Sequence, residues 1–410
     1  MKKQLSMAVA GAVLALGASA ANAGITIPAG DWTIDIGGNV NAFYTHTKYS
    51  GDLKVAGIDD KANVIQTGLL PSAIGIGGKT RQNDLDIAFQ FTFFTGVDAG
   101  NADAADGTGN GGAGNNTLNI RQAYMTFGDK SWGSLKLGRD LGIFGGDAIL
   151  SDMTLLGVGV GAGGGGSSTL GRIGSGYMYA DWVGQISYWS PNWDGFSFAV
   201  GLREPWTNAG LTGTSGSVAN SNADRRSDMG FEGKVQYEWA GDVGGKVWLG
   251  YITQKHDDNT GAAGPSGSYR SDGFDIGAKV SIAGFGLVGY YYDGDGLSGD
   301  PDILNGVLFR AGNESDDNGG YIQGTYTIPD VGTKIGLSYG ISKSDPDNNG
   351  LGLNGGEEFE SKSWIVGVYH PLTKSLNLVA EYTHNKLENV GYVDNDGKAK
   401  TLSLGAIMFF

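Results

Sequence analysis

The stretch Gly77-Gly78-Lys79-Thr80 contains residue types that could do chemistry, because glycines followed by Lys and Thr can hold phosphate groups. The phosphate-binding loop of nucleotide enzymes also requires a glycine five residues before Gly78, and Ala73 stands there. No helical pattern follows, although such a loop needs one. We therefore expect no nucleotide site, and Lys79 is interpreted as a residue on the polar face of a strand.

Metal sites are also disfavoured by spacing. Asp345, Asp347, Asn349 and Gly350 match the start of a calcium loop, but the closing glutamate, Glu357, comes one position late. The histidines lie at positions 46, 256, 370 and 384, without the i, i+4 spacing of a helical metal site. The chain has no cysteine, which excludes disulfides, thiolate metal sites and thiol catalysis. The sequence predicts no metal site, no cofactor and no enzymatic activity.

Composition excludes two further classes of protein. The 28 Lys and Arg residues against 43 Asp and Glu give a net charge of −15, which disfavours nucleic-acid binding because that requires excess positive charge. Glycine is unusually frequent, at 74 of 410 residues, but aromatic residues make up 10% of the chain. A disordered glycine-rich chain would be poor in aromatic residues. A folded protein with many small residues is therefore expected.

The N-terminus is typical of an exported protein. Lys2 and Lys3 precede an apolar run, residues 5–16, and Ala21-Asn22-Ala23 supplies small residues for cleavage. The apolar run is shorter than the roughly 20 residues that span a membrane as a helix. We expect a signal peptide over residues 1–23, cleaved after Ala23. Export without cysteine is compatible with the bacterial periplasm or outer membrane.

Alternation of apolar and polar residues is the main pattern in the rest of the chain. Strands with one apolar and one polar face have this period of two. No later segment offers the 18 consecutive apolar residues of a helical membrane span. The clearest alternating runs are residues 32–45, 85–93, 196–203, 231–239, 274–282, 334–342 and 402–410.

The connections between these runs are sorted by length. Eight long polar connections alternate with seven short ones, which gives sixteen strands. A barrel in a membrane has short turns on one rim, long loops on the other, and apolar side chains facing lipid. Residues 24–410 are therefore predicted to form one all-β domain, a transmembrane antiparallel β-barrel of sixteen strands with long extracellular loops and short periplasmic turns. The long connections are residues 49–72, 98–116, 142–181, 205–228, 255–272, 293–318, 343–362 and 387–398.

Two motifs and the last residue resemble the general porins of Gram-negative outer membranes, which are trimeric and sixteen-stranded. The segments 119–124, containing Arg121-Gln122-Ala123-Tyr124, and 134–139, ending in Leu137-Gly138-Arg139, are similar to the two strands that precede the third loop of that family. Phe410 matches the C-terminal phenylalanine that the family uses as an assembly signal. The resemblance implies an outer-membrane location with lipopolysaccharide around the protein, a homotrimer, and recognition of Phe410 by the outer-membrane assembly machinery.

The same resemblance implies a pore constriction. In the family, the third loop folds into the barrel and opposes its acids to a basic wall, so residues 142–181 are the candidate constriction loop. The transferred candidates are Asp147 and Asp152 in the loop, opposed by Arg121 and Lys136 on the wall. Polar or small residues stand where further wall bases are expected, at Asn39, Asn41 and Ala73. By alternation, the expected pore-lining charges are Lys79, Arg203, Glu232, Lys234, Lys279 and Lys334.

Arg139 is the charged residue that alternation places on an outward face, with Leu135, Leu137 and Leu141. An arginine facing lipid at mid-depth costs about 2–4 kcal/mol. We therefore expect Arg139 at a subunit interface, paired with an acid of the second long loop, either Asp98, Asp103 or Asp106. The alternative is an arginine at the rim that extends to lipid headgroups.

The expected function is passive diffusion of small hydrophilic solutes and ions. The long connections contain 29 acidic and 11 basic residues, so a weak preference for cations is predicted. A substrate-specific channel is one alternative, with Tyr177, Tyr179 and Trp182 as candidate aromatic contacts for sugars. A plugged barrel with a structural or adhesive role is the other.

Overall fold

The computed structural model describes residues 24–53, 60–97, 118–161, 168–205, 228–257, 268–297, 315–345, 358–389 and 396–410. The predicted signal peptide, Asp98, Asp103, Asp106 and most of the candidate calcium loop lie outside these residues. The strands of the described part are β1 (Ile25–Ala29), β2 (Trp32–Gly51), β3 (Lys61–Gln66), β4 (Ser72–Gln82), β5 (Leu85–Thr95), β6 (Asn119–Asp129), β7 (Gly133–Leu141), β8 (Trp182–Trp189), β9 (Phe196–Arg203), β10 (Gly230–Trp239), β11 (Val243–Asp257), β12 (Ser268–Ile282), β13 (Phe285–Asp295), β14 (Asp316–Thr327), β15 (Lys334–Asp345), β16 (Phe359–Pro371), β17 (Leu376–Glu388) and β18 (Asp396–Phe409).

The sheet closes on itself as an antiparallel barrel. From β4 to β18 each strand pairs with the next, and β18 then pairs with β2 from Gly397–Gly51 to Phe409–Asn39. β3 and β4 pair with successive parts of β2, so together they occupy one strand position of the barrel. β1 pairs with the first residues of β2, on the same side of β2 as β18, so these two strands also share one position. The described strands therefore fill sixteen positions, which confirms the predicted fold class and strand number.

The apolar side chains of the barrel face outward. On β13, Leu287 and Tyr291 are exposed whereas Val288 and Tyr290 are buried, as a period of two requires. Ile322 and Leu337 on the next two strands are each 58% exposed. A soluble protein would bury such residues, but a membrane barrel presents them to lipid. The predicted sorting of faces is confirmed, except that parts of the inner face are aromatic.

Short turns join the strands at one end of the barrel. Asn83 and Asp84 between β4 and β5 both have positive φ, at 48° and 64°, and Ala283 and Gly284 between β12 and β13 have 48° and 84°. Positive φ at both central residues matches the right-handed twist of the flanking strands. The chain ends at the same rim, where the backbone of Phe410 and Gly38 exchange hydrogen bonds of 3.0 and 3.1 Å.

The connection from β7 to β8 contains two short helices, α1 (Gly146–Ile149) and a 3₁₀ helix (Met153–Leu156). Among the described residues, no helix is long and apolar enough to cross a membrane. Several residues of the connection from β7 to β8 are fully buried, including Phe144, Ala148 and Val158. The described residues of this connection, 142–161 and 168–181, are thus folded into the barrel, as the resemblance implied, and we call them the inner loop.

Candidate functional site

An ion-paired carboxylate holds the first helix of the inner loop against the wall. Asp147 lies 2.7 Å from Nζ of Lys234 on β10 and 2.5 Å from Nζ of Lys246 on β11. Burial of Asp147 acts to raise its pKa, but the charges of Lys234 and Lys246 and their hydrogen bonds outweigh this and lower the pKa below its usual range. Asp147 therefore stays charged and neutralises much of the positive charge of two wall lysines.

Two wall carboxylates accept backbone N–H groups at the start of the inner loop. Glu232 on β10 accepts from Phe144 at 2.7 Å and also pairs with Arg203 on β9 at 3.1 Å. Asp275 on β12 accepts from Gly145 at 3.0 Å. Buried backbone N–H groups need such acceptors, because leaving one unsatisfied costs about 1–3 kcal/mol. The wall thus supplies acceptors for the two residues that precede α1.

The middle of the inner loop is bonded to β14 and β17. On β14, Gln323 accepts from the backbone N–H of Met153 at 2.8 Å and donates to the carbonyl oxygen of Ser151 at 3.0 Å. On β17, Glu381 accepts from the N–H groups of Val158 and Gly159, both at 2.8 Å. These bonds attach the middle of the inner loop to strands other than β10 to β12, which hold its start.

Gly157 permits the close approach of the loop to β17. A Cβ atom at this position would lie only 2.1 Å from a carboxylate oxygen of Glu381. The hydroxyl of Tyr369 on β16 donates to the same carboxylate at 2.6 Å. Glu381 is fully buried, so its charge depends on these three donors for stabilisation.

A buried arginine holds the returning part of the loop. The guanidinium of Arg172 donates to the hydroxyl of Ser338 on β15 at 2.5 Å, to that of Ser363 on β16 at 3.1 Å, and to the carbonyl oxygen of Ser175 at 3.1 Å. Ser342 on β15 accepts from the backbone N–H of Gly176 at 3.0 Å. The small serines of the wall leave room for the loop and also provide its polar partners.

Apolar packing supports the same attachment. One buried cluster combines inner-loop residues with inward-facing aromatic residues of the wall, so that the loop and the wall share a core inside the barrel. The ring centroids of Tyr177 and Tyr321 lie 5.7 Å apart in an edge arrangement. The loop members are Phe144, Ala148, Ile149, Leu155, Ile173, Tyr177 and Met178, and the wall members include Trp248, Tyr290, Tyr292 and Tyr321.

The described strands form a closed barrel with an inner loop attached to its wall. A family profile described as Gram-negative porin matches residues 9–390 of the sequence. The chain belongs to the Gram-negative porin family. This porin is therefore an outer-membrane channel protein, in a family of channels and not of enzymes.

Solved structures share the fold of this porin. OmpF of Salmonella typhi, solved in complex with daunomycin, aligns with a TM-score of 0.62 at 18% identity, over 94% of this chain and 100% of that chain. The outer membrane channel DcaP of Acinetobacter baumannii aligns with a TM-score of 0.60 at 14% identity, over 94% and 100%. OprB of Pseudomonas putida, in its high-pH structure, gives 0.53 at 13% identity, over 91% and 94%. A search of curated protein sequences found no match.

The expected opposition of Asp147 and Asp152 to Arg121 and Lys136 is not the arrangement in this porin. Asp147 pairs with Lys234 and Lys246 because α1 lies against β10 and β11. Lys136 instead pairs with Asp140 on its own strand. The inner-loop path therefore selects different lysines from those expected.

Asp152 has a structural role within the inner loop. One of its carboxylate oxygens accepts from the backbone N–H of Thr154 at 2.9 Å, which caps the 3₁₀ helix, and the other accepts from the hydroxyl of Tyr177 at 2.8 Å. Asp152 is only 3% exposed. The bases that interact with it electrostatically are Arg172 of the same loop and Lys334 on β15, instead of the predicted Arg121 and Lys136.

Arg121 lies at a β-bulge. The pairing of β5 with β6 shifts between Thr92–Gln122 and Phe93–Ile120, and the extra residue is Arg121. Its guanidinium carbon lies 5.1 Å from the ring centroid of Phe94, at a cation–π distance. A bulge redirects a side chain in a way that strict alternation cannot predict.

The other expected pore-lining lysines occupy separate parts of the barrel. Lys79 pairs with Asp35 at 3.2 Å near the short-turn rim. Lys279 on β12 lies directly opposite Lys246. Nζ of Lys334 lies 4.7 Å from the ring centroid of Tyr369. Together with Arg203, Glu232 and Lys234, these residues distribute charge over several strands.

Arg139 is exposed and donates to the carbonyl oxygen of Trp182 at 3.0 Å, near the long-connection end of β7. The acids expected to pair with it lie outside the described residues.

In the described part of the chain, no group of three or more His, Cys, Asp or Glu side chains could hold a metal ion.

Sequence reasoning missed several residues that hold the inner loop, namely Lys246, Arg172, Asp275 and Glu381. Alternation along β11 could have placed Lys246 beside the inward-facing Trp248, since the two are two residues apart. No sequence signal could have matched Glu381 to Val158 and Gly159, which lie more than 200 residues away.

Proposed function

We propose that this porin is a passive diffusion channel for small hydrophilic solutes and ions, with its long connections outside the cell and its short turns in the periplasm. The observation that carries this proposal is the inner loop, attached inside a closed barrel by charged and polar wall residues such as Lys234 and Gln323. A loop bound to the wall at several points can narrow a lumen without requiring a separate plug domain. An open, steady current in planar bilayers is the expected result.

We propose that the pore weakly prefers cations. The long connections contain 29 acidic and 11 basic residues, and a negative entrance raises the local cation concentration within a Debye length, about 8 Å at physiological salt. Some of this acidity is neutralised on the outer face, where Glu360 and Glu388 pair with Lys362. The reversal potential in a KCl gradient should therefore indicate modest K⁺ preference that increases in dilute salt. Preference for Cl⁻ in dilute salt would contradict this proposal.

A plugged barrel is the second candidate, favoured by the apolar cluster that Phe144 and Tyr177 form with the inner wall. Protein that inserts into bilayers but carries no current would support it. A sugar-specific channel has less support, because Tyr177 is fully buried and bonded to Asp152 instead of being available to a solute. Block of the current by a sugar would support that reading.

We propose that the porin is a homotrimer and that Arg139 lies at the interface between subunits. The exposed guanidinium near the long-connection end of β7 is the supporting observation. Arg139→Leu should reduce the fraction of detergent-extracted trimer that resists heating, whereas Arg139→Lys should retain most of it. Trimers of Arg139→Leu as heat-resistant as wild type would contradict an interface role.

Phe410 is the feature that we propose the assembly machinery recognises. Phe410 is 40% exposed at the short-turn rim, although its backbone is paired with Gly38. The yield of Phe410→Ala in the outer membrane, compared with wild type, tests this role.

A further inference from the structure

The barrel wall between β3 and β4 contains more residues than the strand beside it. β2 pairs with Gln66 at the end of β3, and the pairing resumes at Ala73 near the start of β4. Between these two pairs, three residues of β2 (40–42) face six residues of the other chain segment (67–72). Extra residues in one strand leave the hydrogen-bonded ladder and bend the chain. We call residues 67–71 the wall insertion.

Asn41 of β2 holds the wall insertion in place. Its side-chain oxygen accepts from the backbone N–H of Gly68, and its NH₂ group donates to the carbonyl oxygen of Leu70, both at 2.9 Å. The NH₂ group also donates to Asn39 at 2.8 Å, and the backbone N–H of Asn41 donates to the hydroxyl of Ser72 at 3.1 Å. Asn41 is only 2% exposed, so removing its side chain would leave buried polar groups of the insertion without partners.

The wall insertion is bonded to the inner loop inside the barrel. The backbone N–H of Leu69 donates to the carbonyl oxygen of Gly157 at 2.8 Å, and the carbonyl oxygen of Gly68 accepts from the N–H of Thr169 at 3.1 Å. Leu69 is buried in the cluster that joins the inner loop to the wall. A Cβ atom on Gly68 would lie only 2.1 Å from the carbonyl oxygen of Gly157. The two backbones therefore touch, and no hydrated ion or solute can pass between them.

The same part of the wall is where bases were expected and are absent, at Asn39, Asn41 and Ala73. Asn39 and Asn41 are bonded to each other, and Ala73 begins the renewed pairing of β4 with β2. A lysine or arginine at position 41 could not accept from the N–H of Gly68, because neither side chain has an acceptor atom. An asparagine can accept from Gly68 and donate to Leu70 at the same time. The residue type at position 41 is thus suited to the insertion instead of to a basic wall.

We propose that the wall insertion is a second element of the pore constriction and that Asn41 is its positioning residue. Side chains of the wall hold the start and the middle of the inner loop, whereas the insertion holds Gly157 and Thr169 by backbone bonds. The insertion closes the gap between the inner loop and β2, so ions and solutes pass on the other side of the loop. This inference deepens the proposed channel function and rests on it.

Hydrogen exchange of the folded full-length porin measures whether Asn41 holds the insertion. In Asn41→Ala the insertion loses the side chain that fixes it, so the amides of Leu69 and Thr169 should exchange about tenfold faster or more. The matched control is Asn385→Ala, which makes the same chemical change on the inward face of β17, where Asn385 bonds Ser361. Both amides should exchange in this control as they do in the wild type.

A second variant separates the insertion from the inner loop without changing Asn41. In Gly68→Ala the new methyl group would meet the carbonyl oxygen of Gly157, so the two segments must move apart. Exchange at Leu69 and Thr169 should therefore be faster in this variant too.

Single-channel conductance in planar bilayers distinguishes positioning from a merely structural role. In both Asn41→Ala and Gly68→Ala a path opens between the inner loop and β2, so the conductance should rise above that of the wild type. The barrel should remain as heat-resistant as the wild type, because β2 still pairs with β18 along its length. A purely structural role of Asn41 would instead lower the heat resistance and leave the conductance of folded channels unchanged.

Unchanged exchange at Leu69 and Thr169 in both variants would overturn the proposal. Faster exchange with unchanged conductance would also overturn it, since the insertion would then not bound the pore. Loss of the folded barrel in both variants would contradict it as well, because the insertion would then be needed for folding instead of for the constriction. Absence of current in the wild type would refute the channel proposal, whereas faster exchange in Asn41→Ala would still support the positioning role of Asn41.

Discussion

Replacing Glu381 with glutamine is expected to release the middle of the inner loop from β17. The carboxylate accepts from the backbone N–H groups of Val158 and Gly159 and from the hydroxyl of Tyr369. Glutamine has nearly the same shape but has only one acceptor oxygen, and its NH₂ group would face donors. Val158 and Gly159 donate to one carboxylate oxygen and Tyr369 to the other, so a glutamine oxygen could still accept from both loop N–H groups only while its NH₂ group faces the Tyr369 hydroxyl. The two loop hydrogen bonds would then lack the charge that strengthens them in the wild type.

Hydrogen exchange of the folded porin measures this release. Hydrogen bonds to charged groups are worth about 1.5–3 kcal/mol, so the Val158 and Gly159 amides should exchange about tenfold faster or more. Single-channel currents should become larger or noisier, because the segment that Glu381 holds can leave the wall. Glu358→Gln makes the same chemical change at an exposed rim position that pairs with Lys343. It should alter neither the amide exchange rates nor the single-channel current. Unchanged exchange at both amides in Glu381→Gln would show that other contacts suffice to hold the loop.

The barrel could be predicted from the sequence because the alternation of apolar and polar residues depends only on neighbours along the chain. A period of two assigns each residue of a strand to the inside or the outside, and the lengths of the connections identify the two rims. These rules place Lys136 inward and Arg139 outward without information on strand pairing. Two irregularities depart from this pattern, namely the break between β3 and β4 and the short N-terminal strand β1. Neither changes the number of strand positions in the barrel, which remains sixteen.

The contacts of the inner loop could not be predicted because they depend on its three-dimensional path. Asp147 pairs with Lys234 and Lys246 instead of Lys136 because the chain turns at Gly145, where φ is +71°, and runs along β10 to β12. Alternation along a strand indicates whether a residue points inward or outward, but it does not indicate its position along the barrel axis relative to the inner loop. Asp152 was misassigned because a helix cap and a pore-facing acid have the same residue type.

Aromatic residues on the inner face were also beyond the sequence pattern. Trp248 on β11 lies directly opposite Gly277 on β12, and a Cβ atom on Gly277 would be only 2.1 Å from the Trp248 ring. The ring therefore lies flat over the glycine, inside the barrel. To predict such a contact, one must know the register between two neighbouring strands. Alternation along a single strand does not provide that register.

Asp147→Asn is expected to shift the pore towards anions more than any other single change in the inner loop. Wild-type Asp147 neutralises Lys234 and Lys246 at a buried contact. Removing one partner of a buried ion pair costs about 3–5 kcal/mol, because the remaining charge lacks compensation. The lysines can reduce that cost by turning towards water in the lumen, where they would attract anions. The reversal potential in a KCl gradient should therefore move towards Cl⁻, and the temperature of unfolding in detergent should fall.

Asp152→Asn is the matched control, since it removes the same charge from the same loop. Asp152 bonds Thr154 and Tyr177 and has no lysine within ion-pair distance among the described residues, so its loss should weaken the loop without freeing wall lysines. The double variant Asp147→Asn/Lys246→Gln should recover part of both the stability and the ion preference, because only Lys234 then lacks a partner. An equal shift in Asp147→Asn and Asp152→Asn would mean that the pore senses the total charge of the loop. In that case the ion pairs of Asp147 would not control selectivity.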